Sequence, residues 1–134
     1  MTYTYVLTAP PPSVNGMYAN VPEKMRAALL AKGKGVPGRV KTKAYRSWCD
    51  AMGWELKAKR PPKITGKVSI RIDLPRGVRG DCDNRVKATL DLLQSVGIVE
   101  NDRQCDPVTI GRADVAHTTI TIEPSVALAR EAAE

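Results

Sequence analysis

Residues 66 to 74, GKVSIRIDL, alternate without a break: Val68, Ile70, Ile72 and Leu74 on one side, Lys67, Ser69, Arg71 and Asp73 on the other. Side chains on a strand point to opposite faces with a period of two, so this segment predicts a strand with one face in a core and one in water. A sheet built that way needs a covering layer on one side only. Two segments have the three-to-four spacing of amphipathic helices that could supply it. In residues 43 to 59 the stripe is Tyr45, Trp48, Met52 and Leu56, with Thr42 placed to cap the start and Pro61 and Pro62 to end it. In residues 84 to 95 it is Val86, Leu90 and Leu93, broadened by Ala88 and Leu92, with Gly97 where a helix would stop. Further strands are expected at 2–8, 107–112 and 117–122, the last stopped by Pro124, and a short helix at 22–32 behind Pro22. Loops are expected at 10–18, where three prolines cannot continue a central strand, and at 33–43, where glycines alternate with basic residues. The class is α/β (α+β): a small mixed sheet with helices packed on one face, one domain over 1–124, and a tail over 125–134 with a frayed helix.

Composition narrows the function classes. Lys and Arg exceed Asp and Glu by 21 to 14, a net +7 that favours polyanionic partners. No apolar run approaches the length of a membrane span, and MTYTYVLTAPPP lacks the basic start of a signal peptide. Cys49, Cys82 and Cys105 are odd in number and form no CxxC, which fits free thiols in a reducing cytoplasm better than a disulfide framework or a zinc site. A lone His117 cannot build a histidine metal cage.

Against that basic background, RGDCDNRVKATLDLLQSVGIVEND (79–102) concentrates carboxylates. In extended backbone Asp81 and Asp83 would share a face and Cys82 would point into the core. Asp83 or Asn84 is also a candidate helix N-cap, and Lys87 a candidate i,i+4 partner of Asp83. A helix over 84–95 carries the chain roughly 18 Å away. The link 96–102 can span up to about 23 Å, so Asp102 is able to return to the same site, with Glu100, Asn101 and Asp106 as competitors. Three carboxylates, Asp81, Asp83 and Asp102, offer the hard oxygens that Mg²⁺ prefers. A bound metal would acidify a water and stabilise phosphoryl charge, with Lys87 beside the phosphate. Other readings of the motif fit less well: Arg85 stands where an EF-hand needs an oxygen ligand, the residues before Asp81 are basic rather than an apolar strand, and no P-loop is present.

At these residues the chain resembles the RusA family of Holliday-junction resolvases, small phage-associated endodeoxyribonucleases. The motif D-x-D-N-x-x-K stands as Asp81-Cys82-Asp83-Asn84-Arg85-Val86-Lys87, followed by an apolar helix, a glycine and Asn101-Asp102 at the family's spacing. A strand and a proline turn with Asn15 and Tyr18 open the chain in the same manner, so the likeness runs from about residue 3 to 122. It differs in reading RGVRG where family members carry consecutive arginines, and residues 19–40 look inserted relative to the shortest members. The resemblance implies a homodimer that binds four-way DNA junctions and nicks paired strands with Mg²⁺. Asp81, Asp83 and Asp102 would be the metal-binding catalytic carboxylates and Lys87 the catalytic lysine. Asn15, Lys41, Lys43, Arg46, Arg76, Arg79 and Asn84 are candidate DNA contacts. Alternatives are a nuclease acting on flaps or forks, a non-catalytic branched-DNA-binding module, and a protein-interaction domain whose charge is incidental.

Overall fold

The computed structural model describes residues 1–33, 35 and 39–125; the expectations for residues 34 and 36–38 and for a helix in the tail lie outside these. The main sheet has four strands in the order β1 (Tyr3–Leu7), β6 (Thr118–Pro124), β4 (Val68–Pro75), β5 (Cys105–Ala113). β6 runs antiparallel to both β1 and β4, whereas β4 and β5 are parallel, so the sheet is mixed. Parallel neighbours need a crossover, and the chain makes it through α3 (Val86–Val96).

The alternation in β4 does what the sequence predicts. Val68, Ile70, Ile72 and Leu74 are buried, and Arg71 between them is exposed. On the same face, Tyr5 and Leu7 of β1 and Ile120 and Ile122 of β6 join them. The covering layer is α3, through Ala88, Leu92 and Leu93, and α2 (Lys43–Ala58), through Tyr45, Trp48, Met52 and Leu56. Both helices are terminated as expected. The Thr42 hydroxyl accepts from the Tyr45 amide at 3.1 Å, and Gly97 takes φ +89°, a left-handed conformation that costs glycine little. Ile72 sits at the centre of this core with no exposed surface. Replacing it by alanine is expected to cost about 2–5 kcal/mol in urea unfolding. Arg71→Ala, on the watered face and paired among the described residues only with Asp73, should stay within about 1 kcal/mol.

Two strands were not anticipated. Tyr18–Asn20 (β2) and Arg39–Lys41 (β3) pair antiparallel as a separate ribbon, where loop was expected up to Tyr18 and again over 33–43. Each is three residues long, too short to show a period, and their pairing depends on contacts far apart in sequence. The Thr42 amide donates to the Met17 carbonyl at 2.9 Å and the Thr42 hydroxyl to the Gly16 carbonyl at 2.7 Å. Helix α1 (Glu23–Ala31) lies between the two strands and buries none of its residues. β5 also begins two residues earlier than expected, and β6 runs through Pro124. Ser125 is buried, its amide donating to Lys67 and its hydroxyl to Asp106.

Candidate active site: a split acidic centre

The acidic motif follows the C-terminal end of β4. Gly80 there has φ +88°, and a single 3-10 turn, Asp83–Arg85, leads into α3. The expected extended pair is therefore a turn. Cys82 is helical at φ −63°, and its half-buried side chain packs against the core. Asp81 and Asp83 are both exposed. Neither Asp83 nor Asn84 caps α3: the capping position is Arg85, and no side chain accepts a bond there. Both carboxylates thus remain available to a ligand.

Two arginines hold this loop, Arg85 half-buried and Arg112 exposed. Arg85 donates from Nη1 to the Pro11 carbonyl at 2.5 Å and from Nη2 to the Arg79 carbonyl at 2.9 Å. Arg112, on β5, donates from Nε to the Val78 carbonyl at 2.7 Å and from Nη2 to the Gly80 carbonyl. A guanidinium presents several donors in a rigid fork, which suits it to collecting backbone carbonyls of a turn. Nothing in the sequence marked Arg112, because its role depends on β5 running parallel to β4 with Leu74 opposite Arg112.

Lys87 lies in the first turn of α3, with its ammonium 3.4 Å from Asp91 rather than paired with Asp83. Asp83 precedes the α-helix proper, so the i,i+4 geometry favours Asp91. That spacing was legible in the sequence. Asp91 faces a groove between α2 and α3 lined also by Lys41, Tyr45, Cys49 and Gln94. Burial there pushes the Tyr45 hydroxyl and the Cys49 thiol above their ordinary pKa values, so both stay protonated at neutral pH.

The third carboxylate is elsewhere. Asp102 starts the 3-10 turn Asp102–Gln104, immediately before β5. That turn is tied to the opposite end of the sheet: Lys67, just before β4, donates to the Arg103 carbonyl at 2.8 Å, and Gln104 Nε2 donates to Ile64. Burial raises the Cys105 thiol pKa, and the charge of Asp102 adds to the rise. Asp81 and Asp83 precede α3 and Asp102 follows it. The 11-residue helix alone separates them by about 16 Å. The expectation that residues 96–102 bring Asp102 back to its own Asp81 and Asp83 is not met. The link instead continues away into the parallel strand, which must begin at the far end. Among the described residues, no three His, Cys, Asp or Glu side chains converge within one chain in a way that could hold a metal ion.

The remaining candidates mostly gather at the Asp81–Asp83 end. Asn15 is exposed on the turn Val14–Gly16, which abuts the Asp83–Arg85 turn. Asn84 is half-buried in that turn, Arg79 is exposed beside it, and Arg76 pairs with Asp114. Lys41 lies 5.6 Å over the Tyr45 ring, while Lys43 and Arg46 are exposed in the first turn of α2. Thr42, between Lys41 and Lys43, ties this segment to the Val14–Gly16 turn through its bond to Gly16.

A sequence model of the endodeoxyribonuclease RusA family matches residues 19–123. The chain belongs to this family. The match takes in the ribbon from Ala19 on, both core helices, the acidic motif and the whole of β4 to β5, starting after β1 and the proline turn. No curated protein matches the chain significantly. As a RusA-family member it is an endodeoxyribonuclease of the class that resolves Holliday junctions, and its mixed α+β single domain agrees with that membership. Among the described residues no helix is long and apolar enough to cross a membrane.

Proposed function

We propose that this RusA-family chain cuts four-way DNA junctions by Mg²⁺-dependent paired nicks, as a homodimer whose two metal sites are each shared between copies. Asp81 and Asp83 come from one copy and Asp102 from its partner. One observation carries the reading: the motif's carboxylates stand at opposite ends of one β4–α3–β5 unit. A two-fold axis across the middle of that unit superposes the Asp102 end of one copy on the Asp81 end of the other. β5 supplies the surface, since it is the sheet's edge strand with Asp102 before its first residue and the loop-bracing Arg112 near its last. Antiparallel pairing of two β5 edges about Thr109 satisfies backbone groups that an edge leaves open. It also gives two equivalent sites, as paired nicks require.

The donor set fits a hard divalent ion: exposed carboxylate oxygens not engaged as helix caps, with water completing the shell. Such an ion supplies Lewis-acid stabilisation of the phosphoryl group and a more acidic water. The chain's own groups orient the rest. Arg85 and Arg112 fix the loop, Asp91 holds the Lys87 ammonium, and Lys87 meets a non-bridging phosphate oxygen as charge develops. The cellular setting that goes with this reading is cytoplasmic processing of recombination or phage-replication intermediates.

The test uses a labelled four-way junction and a matched linear duplex, with Mg²⁺ or EDTA. Symmetric nicks in the junction are expected, abolished by EDTA. Asp83→Asn and Asp102→Asn are each expected to lower the rate by at least about 10³-fold while junction affinity stays within a few fold. Junction binding with no cutting under any divalent ion would replace this reading with a non-catalytic binding module. Cutting of flaps in preference to junctions would keep the chemistry and change the substrate.

A further inference from the structure

Residues 18–46 contain eight of the chain's 21 Lys and Arg and one of its 14 Asp and Glu, a local net of +7. The rest of the chain is balanced at 13 and 13, so the protein's entire net charge resides in this one segment. Structurally it is the ribbon β2–β3 with α1, an arm outside the four-stranded sheet, together with the first turn of α2. Apart from Tyr45, which belongs to the core, it buries little: α1 buries nothing, and Met25 and Leu30 are 43% and 61% exposed. Nor do ion pairs offset its charge. Those among the described residues involve Lys63, Arg71, Arg76 and Lys87, none of them in the arm. A concentration of cations with no acidic partner and little packing role is costly to keep together unless a polyanion meets it.

The arm also has shape. Between α1, the ribbon and the start of α2 runs a groove of about 580 Å³, with Pro22, Met25 and Val40 on its apolar floor and Lys41, Lys43 and Arg46 on its rim. Phosphates need the rim, and an unstacked base needs the floor. Fully paired DNA offers only the first, whereas the strands at a branch point offer both.

We propose that this arm is a branch-point clamp: Lys41, Lys43 and Arg46 hold strand phosphates, and the Pro22–Met25–Val40 floor receives a base unstacked at the crossover. The proposal rests on DNA being the substrate but not on the metal chemistry. The arm's base adjoins the Val14–Gly16 turn, which abuts the acidic turn, so a base held there positions the neighbouring strand for cutting.

The experiment measures binding in EDTA, so that no strand is cut, by fluorescence anisotropy across a salt series. The probes are a four-way junction and a linear duplex, the junction carrying 2-aminopurine at the crossover. Lys41→Gln/Lys43→Gln/Arg46→Gln is expected to reduce the slope of log K against log salt by about 2–3 on both probes. Met25→Ser, on an already exposed residue, should leave duplex affinity unchanged, weaken junction binding by about tenfold, and abolish the rise in 2-aminopurine fluorescence seen with the unaltered protein. An unchanged salt slope in the triple variant overturns the clamp. A reduced slope with 2-aminopurine responding equally to Met25→Ser and the unaltered protein overturns the base-holding floor. Because EDTA is present throughout, loss of nuclease activity and failure of the clamp are separate results.

Discussion

Mixing inactive Asp83→Asn with inactive Asp102→Asn is expected to restore cutting. In a mixed dimer with shared sites, one site receives both defects, the altered position 83 of one copy and the altered position 102 of the other, and is dead. The second combines an intact Asp81–Asp83 pair with an intact Asp102 and is complete. Random exchange makes about half of the dimers mixed, so about a quarter of the wild-type site number returns. Those dimers nick one strand only, so the product is a nicked junction rather than two resolved duplexes. If each site belonged to one chain, every site in the mixture would carry one defect and no activity would return. Single-turnover cleavage after co-refolding, with nicked and resolved products separated on a native gel, distinguishes the two. A Thr109→Cys variant adds an independent reading of the interface. A residue on the two-fold axis of an antiparallel pair lies opposite its own copy, about 4.5–5.5 Å away between Cα atoms, close enough to form a disulfide under oxidation.

Arg85→Met is expected to damage both stability and cutting although the guanidinium faces inward. It removes the bonds to Pro11 and Arg79, which join the proline turn to the acidic loop across 74 positions of sequence. Bonds from a charged donor contribute about 1.5–3 kcal/mol each and are not fully additive. A loss near 3 kcal/mol, or about 10 °C in Tm, follows for a domain of this size. Displacing Asp81 and Asp83 by even about an ångström should lower single-turnover cleavage by about 100-fold. Arg85→Lys retains the charge but not the fork, so it should fall between the Met variant and the unaltered protein. A Met variant that melts and cuts like the unaltered protein would show that other contacts hold the loop.

The sheet-and-helix plan was readable because its signals are local. The period of two in β4, the stripe through Tyr45, Trp48, Met52 and Leu56, the Thr42 cap and the Gly97 stop each depend on residues within one element. The ribbon β2–β3 was not readable, because three-residue strands have no usable period and their pairing closes over a long intervening segment. Likewise the partner of Lys87 was chosen by where α3 begins: a 3-10 turn over Asp83–Arg85 moves the first α-helical residue to Val86 and makes Asp91 the neighbour.

Which side chains are chemically equipped is readable along the chain, as a D-x-D-N-x-x-K motif, a following Asp102 and a surplus of cations, since donor type and spacing are properties of the chain. Which of them can meet within one chain depends on the fold. A parallel neighbour of β4 has to start where β4 starts, so the crossover that forms the fold carries Asp102 to the far end of the sheet from Asp81 and Asp83. Spacing sets the reach of a link, but the direction in which the reach is used comes from strand polarity.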